Sequence, residues 1–377
     1  MFVHKWWLVI ISIVAVKASS IHGESLGLYH QNARAVPPSI CSGDLSFTKG
    51  YRCEDYEVIT KDGYILRLWR FREGRTKESR REGTKQPVFL QHGVFLDGRC
   101  WFIYSGHVSS NLTYSDFWDF SYTEMGIYDL PASLNLVYAE TGQKAHFIGH
   151  SQGTTSMFAA FSQWKVEERL KSAVMLAPVV YLSHMPFGVT YVYCHAYIGE
   201  IVQSFGISEC NLMTPPLDTM LRAICSIVPL TCLEIIAQFS GPNCCFNSSN
   251  VELFLQSQLQ PTSFKNLAHW EQGVRRTVFA HYDYGNPATN MEHYGVPEPP
   301  AFDLQKIPRH LPLYIIYGGK DLLAVPQDVF HLLNELRSHR NLRELYVDNY
   351  AHFDFIEGMN TKEIVYDDVV SFIEGIP

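Results

Sequence analysis

The sequence predicts an α/β protein: a mostly parallel sheet with helices on both faces, interrupted by one large, mainly helical insertion. Three observations carry this. Short apolar runs bounded by turn residues alternate with helix-length stretches, the pattern of strands joined by helical crossovers. A Gly-X-Ser-X-Gly pentad, Gly149-His150-Ser151-Gln152-Gly153, follows the apolar run Ala145 to Ile148 and precedes a stretch, Thr154 to Trp164, rich in Ala, Met and Phe. The alternation stops between about Ser183 and Lys306 and then resumes.

Composition sets the bounds. With 377 residues and 46% hydrophobic content, the chain can bury a substantial core and is not a disordered protein. A net charge of −8, with 30 Lys and Arg spread without basic blocks, gives no electrostatic footprint for nucleic acid. The N-terminus runs from a basic start (Met1 to Lys5) through the apolar Trp6 to Val16 into Ala18, Ser19 and Ser20. That order reads as a secretory signal peptide over residues 1–20, so a mature chain starting near Ile21 is expected to be secreted or lysosomal. The run falls short of the roughly 20 residues of a spanning helix, and no transmembrane segment is expected.

From residue 21 to 183 the chain is expected to build the first part of the core. Tyr56 to Thr60 and Tyr64 to Phe71 read as strands joined at Asp62-Gly63, a hairpin signal. After a charged loop, Arg72 to Gln86, the run Pro87 to Gly93 has the unbroken apolar character of a buried parallel strand. A helix is expected from Asp129-Leu130-Pro131, where proline is tolerated in the first turn. Further strands are expected at Ala145 to Gly149 and Ser172 to Leu176, and, in the second part of the core over 306–377, at Leu313 to Tyr317 and Arg343 to Val347.

Residues 184–305 form the expected cap or lid insertion. It carries aromatics expected in its core (Phe187, Tyr191, Tyr193, Phe205, Phe239, Phe246, Phe254) and six of the nine cysteines, so disulfides are expected to cluster there. At least one thiol must lack an intramolecular partner. No Cys-X-X-Cys pair and no His-Glu-X-X-His occurs, so no metal is expected. Two sequons, at Asn111 and Asn247, become meaningful as glycosylation sites if the chain is secreted.

The pentad after a strand is a nucleophile elbow, a sharp turn that presents a serine. Serine needs a base to take its proton, and the base needs a carboxylate to fix its tautomer. The strand Leu313 to Tyr317 ends at Gly318-Gly319-Lys320-Asp321, and the strand Arg343 to Val347 runs on to His352. Asp321 and His352 are therefore preferred over Asp328, Asp348 and Asp354 as acid and over His331 and His339 as base, which are expected on surface helices or loops. The oxyanion of an acyl-transfer intermediate needs two backbone N–H donors, expected from Gln152 and Val94. His92 is expected to brace the loop that carries Val94.

Leu90-Gln91-His92-Gly93, Phe117 to Ser121, Tyr128 to Ala132, Thr141-Gly142-Gln143, Gly149 to Thr155, Leu176 to Val179, Tyr317 to Ala324 and His352 to Phe355 together resemble the acid lipases, the group containing gastric and lysosomal acid lipase. The resemblance runs from about residue 48 to the C-terminus. It implies an α/β-hydrolase fold with a lid and hydrolysis of triacylglycerols or sterol esters at a lipid–water interface without a cofactor. It also implies Ser151, Asp321 and His352 as the triad, and Cys225 with Cys232 as the cap disulfide.

In one place the chain departs from that pattern. Trp101-Phe102-Ile103 runs directly into Tyr104-Ser105, where the family carries a helix and a central strand. The missing strand would lie between the second and third strands, so its loss is expected to break the sheet there and leave unpaired edges. A skipped exon or an incomplete gene model would explain the gap, as would a variant that folds poorly, and with it comes a second functional reading: a non-catalytic lipid-binding relative or inactive variant.

Overall fold

The computed structural model describes residue 41 and residues 51–72, 85–100, 112–163, 166–212, 229–246, 251, 254 and 259–377. The signal-peptide segment, Cys225, Asn111, Asn247 and the Ile103–Tyr104 junction lie outside these residues. Strand β1 (Cys53–Ile59) pairs antiparallel with β2 (Ile65–Phe71), as the hairpin signal predicts. Gly63, at φ +93°, supplies the left-handed turn residue, and the Thr60 hydroxyl accepts from the Tyr64 amide across it at 2.9 Å.

The main sheet has five strands, all parallel: β3 (Val88–Gln91), β4 (Ala145–His150), β5 (Leu170–Leu176), β8 (Leu313–Gly318) and β9 (Leu342–Val347), in the order β3-β4-β5-β8-β9. Every residue of β8 is buried, and so are all but one each of β4 and β5. This is why these strands read as continuous apolar runs with no in–out alternation. Helix α1 (Leu130–Thr141) closes on Gly142 in the left-handed region, and α2 (Gln152–Gln163) is buried over eleven consecutive residues. The terminal helices α8 (Pro326–Glu335) and α9 (Asp367–Glu374) complete the layers on the sheet.

The break expected from the sequence falls between β2 and β3. The hairpin and the five-stranded sheet are separate sheets, and among the described residues β3 hydrogen-bonds to β4 alone. Side chains still bridge the interruption. Leu66 and Leu68 of β2 share one core with Phe89 of β3, Phe120, Leu130 and Leu134.

Between β5 and β8 the chain forms α3 (Val189–His195), α4 (Ile198–Ser204), α5 (Pro229–Ser240), α6 (Phe264–Arg275) and α7 (Pro287–Tyr294), with one small ladder of β6 (Glu209–Cys210) on β7 (Thr262–Ser263). Two sequence expectations need correction here. Of the insertion's aromatics, Phe246 and Phe254 are buried, but Phe187, Phe205 and Phe239 stand 84%, 75% and 46% exposed. Disulfides are not confined to the insertion either, because Cys41 bonds to Cys53 at the start of β1. Within it, Cys244 bonds to its neighbour Cys245, and Cys232 is buried and disulfide-bonded. Cys100, Cys194 and Cys210 are not part of a disulfide.

Candidate active site

Strand β4 ends at His150 and α2 begins at Gln152, so Ser151 alone makes the corner, at φ +53°. Glycine is required beside it for space. A side chain at Gly153 would meet the Gln91 and His92 carbonyls at 2.6 and 2.8 Å, and one at Gly93 would press on Ser151 at 2.9 Å. The elbow and the loop after β3 are thus packed backbone against backbone.

Three residues from three separate loops converge on this corner. The Ser151 hydroxyl lies 2.7 Å from His352 Nε2, and His352 Nδ1 lies 2.8 Å from Asp321 Oδ2. All three are at least nine-tenths buried. The other Asp321 oxygen accepts the amides of Leu323 and Ala324, both at 2.8 Å, so both oxygens of the carboxyl group are held. Nδ1–H therefore donates to Asp321, which leaves Nε2 free to accept the Ser151 proton.

The rejected candidates sit elsewhere, and the reason given for rejecting them holds only in part. Asp348 is exposed. Asp328 and Asp354 are buried: Asp328 accepts from the Ser183 hydroxyl, the His184 amide and the His184 ring. Asp354 accepts the amides of Ala351, Cys244 and Cys245. His339 is buried against the Leu311 carbonyl, and His331 stacks on Tyr181. What sets Asp321 apart from the other buried carboxylates is its contact with His352 Nδ1 at 2.8 Å.

Val94 and Gln152 both line a cavity beside the elbow. Gln152 is the first helical residue, where an amide has no carbonyl a turn earlier to bond. The loop carrying Val94 is held from two sides. His92 Nδ1 donates to the Gly93 carbonyl at 2.9 Å, the bracing expected of it, and the Gln260 amide donates to the Phe95 carbonyl at 2.7 Å. Phe95 has φ +60°, a costly conformation for an aromatic residue, which the Gln260 contact helps to fix.

Sequence reasoning missed a group of supporting residues. His150 Nε2–H donates to the His352 carbonyl at 2.9 Å, and complete burial pushes its ring well below the ordinary histidine value, so it stays neutral. From α6, Asn266 and Trp270 donate to the Gln152 side-chain oxygen at 2.7 and 2.8 Å. These cap residues have no local motif, and only the fold brings them 114 and 118 positions back to the elbow. Trp270→Phe keeps the ring and removes one donor, so kcat is expected to fall about tenfold with KM little changed. Steady-state kinetics with a soluble ester, alongside an unfolding curve showing an intact fold, would check this. An unaltered kcat would mean that Gln152 needs no such pin.

Over residues 44–105 the sequence matches a family described as a partial alpha/beta-hydrolase lipase region. It is 34% identical over 395 aligned positions to triacylglycerol lipase 2 of Arabidopsis thaliana, with 97% of this chain and 94% of that protein covered. Gastric triacylglycerol lipase of Homo sapiens is 34% identical over 371 positions, with 86% and 88% covered. The Arabidopsis alignment is longer than the 377 residues of this chain, so that relative carries stretches with no counterpart here. Among solved structures, a thermostable carboxyl esterase from Bacillus coagulans superposes with a TM-score of 0.51 at 12% identity, covering 86% of this chain and 98% of that one. That likeness concerns the fold.

Proposed function

Because the chain belongs to the acid lipase family of α/β-hydrolases, we propose that it hydrolyses carboxylic ester bonds of neutral lipids through an acyl-enzyme on Ser151. The observation that carries the reading is the hydrogen-bonded line from Ser151 through His352 to Asp321. Ser151 Oγ attacks the ester carbonyl while His352 Nε2 takes its proton, and Asp321 stabilises the imidazolium that results. The amides of Gln152 and Val94 receive the oxyanion. Collapse of the tetrahedral intermediate expels the alcohol, which takes its proton from His352. A water activated by the same histidine then releases the fatty acid and regenerates the serine.

Residues 184–305 serve in this reading as a cap, and an exposed apolar stretch supports contact with a lipid surface. Phe187, Val189, Tyr197, Ile201 and Phe205, on and around α3 and α4, are all more than a third exposed. Among the described residues no helix is long and apolar enough to cross a membrane, so this contact would be peripheral. The N-terminal signal pattern and the Cys41–Cys53 disulfide support a secreted or lysosomal destination. Triacylglycerols are the proposed substrates, with sterol esters as a further class, and no metal or cofactor enters the scheme.

A fluorophosphonate probe tests the assignment directly. One equivalent is expected to label Ser151, seen by peptide mass spectrometry, with parallel loss of fatty-acid release from emulsified triacylglycerol. Labelling elsewhere, or full activity after labelling, would overturn it.

A further inference from the structure

We propose that the slot left between β2 and β3 is a binding pocket for the acyl chain of the ester, and that it sets which chain lengths this protein accepts. The inference rests on the ester-hydrolase reading and adds to it the site that receives the acyl part. A cavity of about 130 Å³ lies where the sheet is interrupted. Its walls include Leu66 and Leu68 from the hairpin and Phe89 from β3, the end strand of the main sheet. The same cavity is lined by Val94 and Gln152, whose amides flank Ser151. The gap in the fold thus borders the two residues proposed to supply the oxyanion amides, next to Ser151 in the chain and in space.

Two features argue for an acyl chain as the occupant. The first is chemistry. Of the strand residues that line the space, Leu66, Leu68, Phe89 and Leu90 are apolar, against Gln91 and Thr262, and a hydrocarbon chain brought against the apolar ones from water gains about 0.8 kcal/mol for each methylene buried. The second is continuity. A carbonyl whose oxygen sits between the amides of Val94 and Gln152 would place its acyl substituent beside the two residues that line this cavity. The lining is not apolar throughout: Asp129 and Ser133 line the space together with Leu66. Hydrocarbon beside a carboxylate and a hydroxyl gains less than hydrocarbon beside leucine and phenylalanine, so the pocket is expected to favour short and medium chains.

Leu68 tests this because it lies on β2, lines the slot and is remote from the triad in sequence. Rates should be measured on p-nitrophenyl esters from acetate to palmitate for the parent chain, Leu68→Trp and Leu68→Ala. Filling the slot with Trp is expected to lower kcat/KM for the octanoate ester about tenfold relative to acetate. Emptying it with Ala is expected to move the optimum to longer chains. Opposite shifts from the two variants support the pocket, since a general loss of stability would lower all chain lengths together. Identical chain-length profiles for all three proteins would overturn it. Octanoate binding by calorimetry separates the two readings. If no ester is hydrolysed but octanoate binds the parent chain and not Leu68→Trp, the hydrolase reading fails and the pocket stands; if esters are hydrolysed and octanoate binds Leu68→Trp as well as the parent, the pocket fails alone.

Discussion

Ser151→Ala is expected to abolish ester hydrolysis, with kcat falling on the order of a million-fold, while the melting temperature stays within a degree or two. The change removes a hydroxyl whose bond is to His352 Nε2 and leaves the backbone of the elbow in place. Asp321→Ala and His352→Ala should each cost several orders of magnitude, and the double variant should be little worse than the worse single, because the three groups act on one proton. Independent, multiplying losses would argue against a shared machine. Substantial turnover by Ser151→Ala would place the nucleophile elsewhere. The measurements are turnover of a p-nitrophenyl ester and thermal unfolding on the same preparations.

Restoring a family-like helix and strand between Ile103 and Tyr104 is expected to raise stability, secreted yield and activity together. Here β3 is an end strand among the described residues, although it leads directly into the loop proposed to supply the Val94 amide. A strand with one ladder has half the backbone restraint of an interior strand, and an uncovered edge invites misassembly. The melting temperature should rise by roughly 5 °C or more. The proposed triad is built on β4, β8 and β9, all within the unbroken five-stranded sheet and on one side of the interruption, with contacts of 2.7 and 2.8 Å, so the short chain should retain some turnover. Equal stability and equal triacylglycerol hydrolysis by the two forms would show that the sheet has closed without loss.

Much of this was legible in the residues because backbone demands are local. Gly149, Gly153 and Gly318-Gly319-Lys320-Asp321 mark the ends of buried strands, and a buried parallel strand such as Leu313 to Tyr317 is a run of Leu, Ile and Tyr that stands out from its surroundings. The break after Ile103 was legible too, as an absence in an otherwise ordered set of motifs. The supports of the site were not. Asn266, Trp270 and Gln260 approach the elbow only after the insertion has folded back, and a polar residue in a helix carries no mark of the partner it will meet. The exposure of Phe187 and Phe205 was equally hidden, because an aromatic side chain in a helical stretch reads as core whichever way it faces.

The corner at Ser151 sets heat resistance against turnover. A non-glycine residue held at φ +53° costs about 1–2 kcal/mol relative to glycine in the same place. Selection of variants for thermal survival alone would therefore reward Ser151→Gly, which relaxes the backbone and discards the proposed nucleophile in one step. A thermostabilising campaign on this chain has to carry an activity screen at every round. The gains compatible with function must come from the interrupted sheet and the insertion, leaving untouched the one residue whose discomfort the rest of the fold exists to maintain.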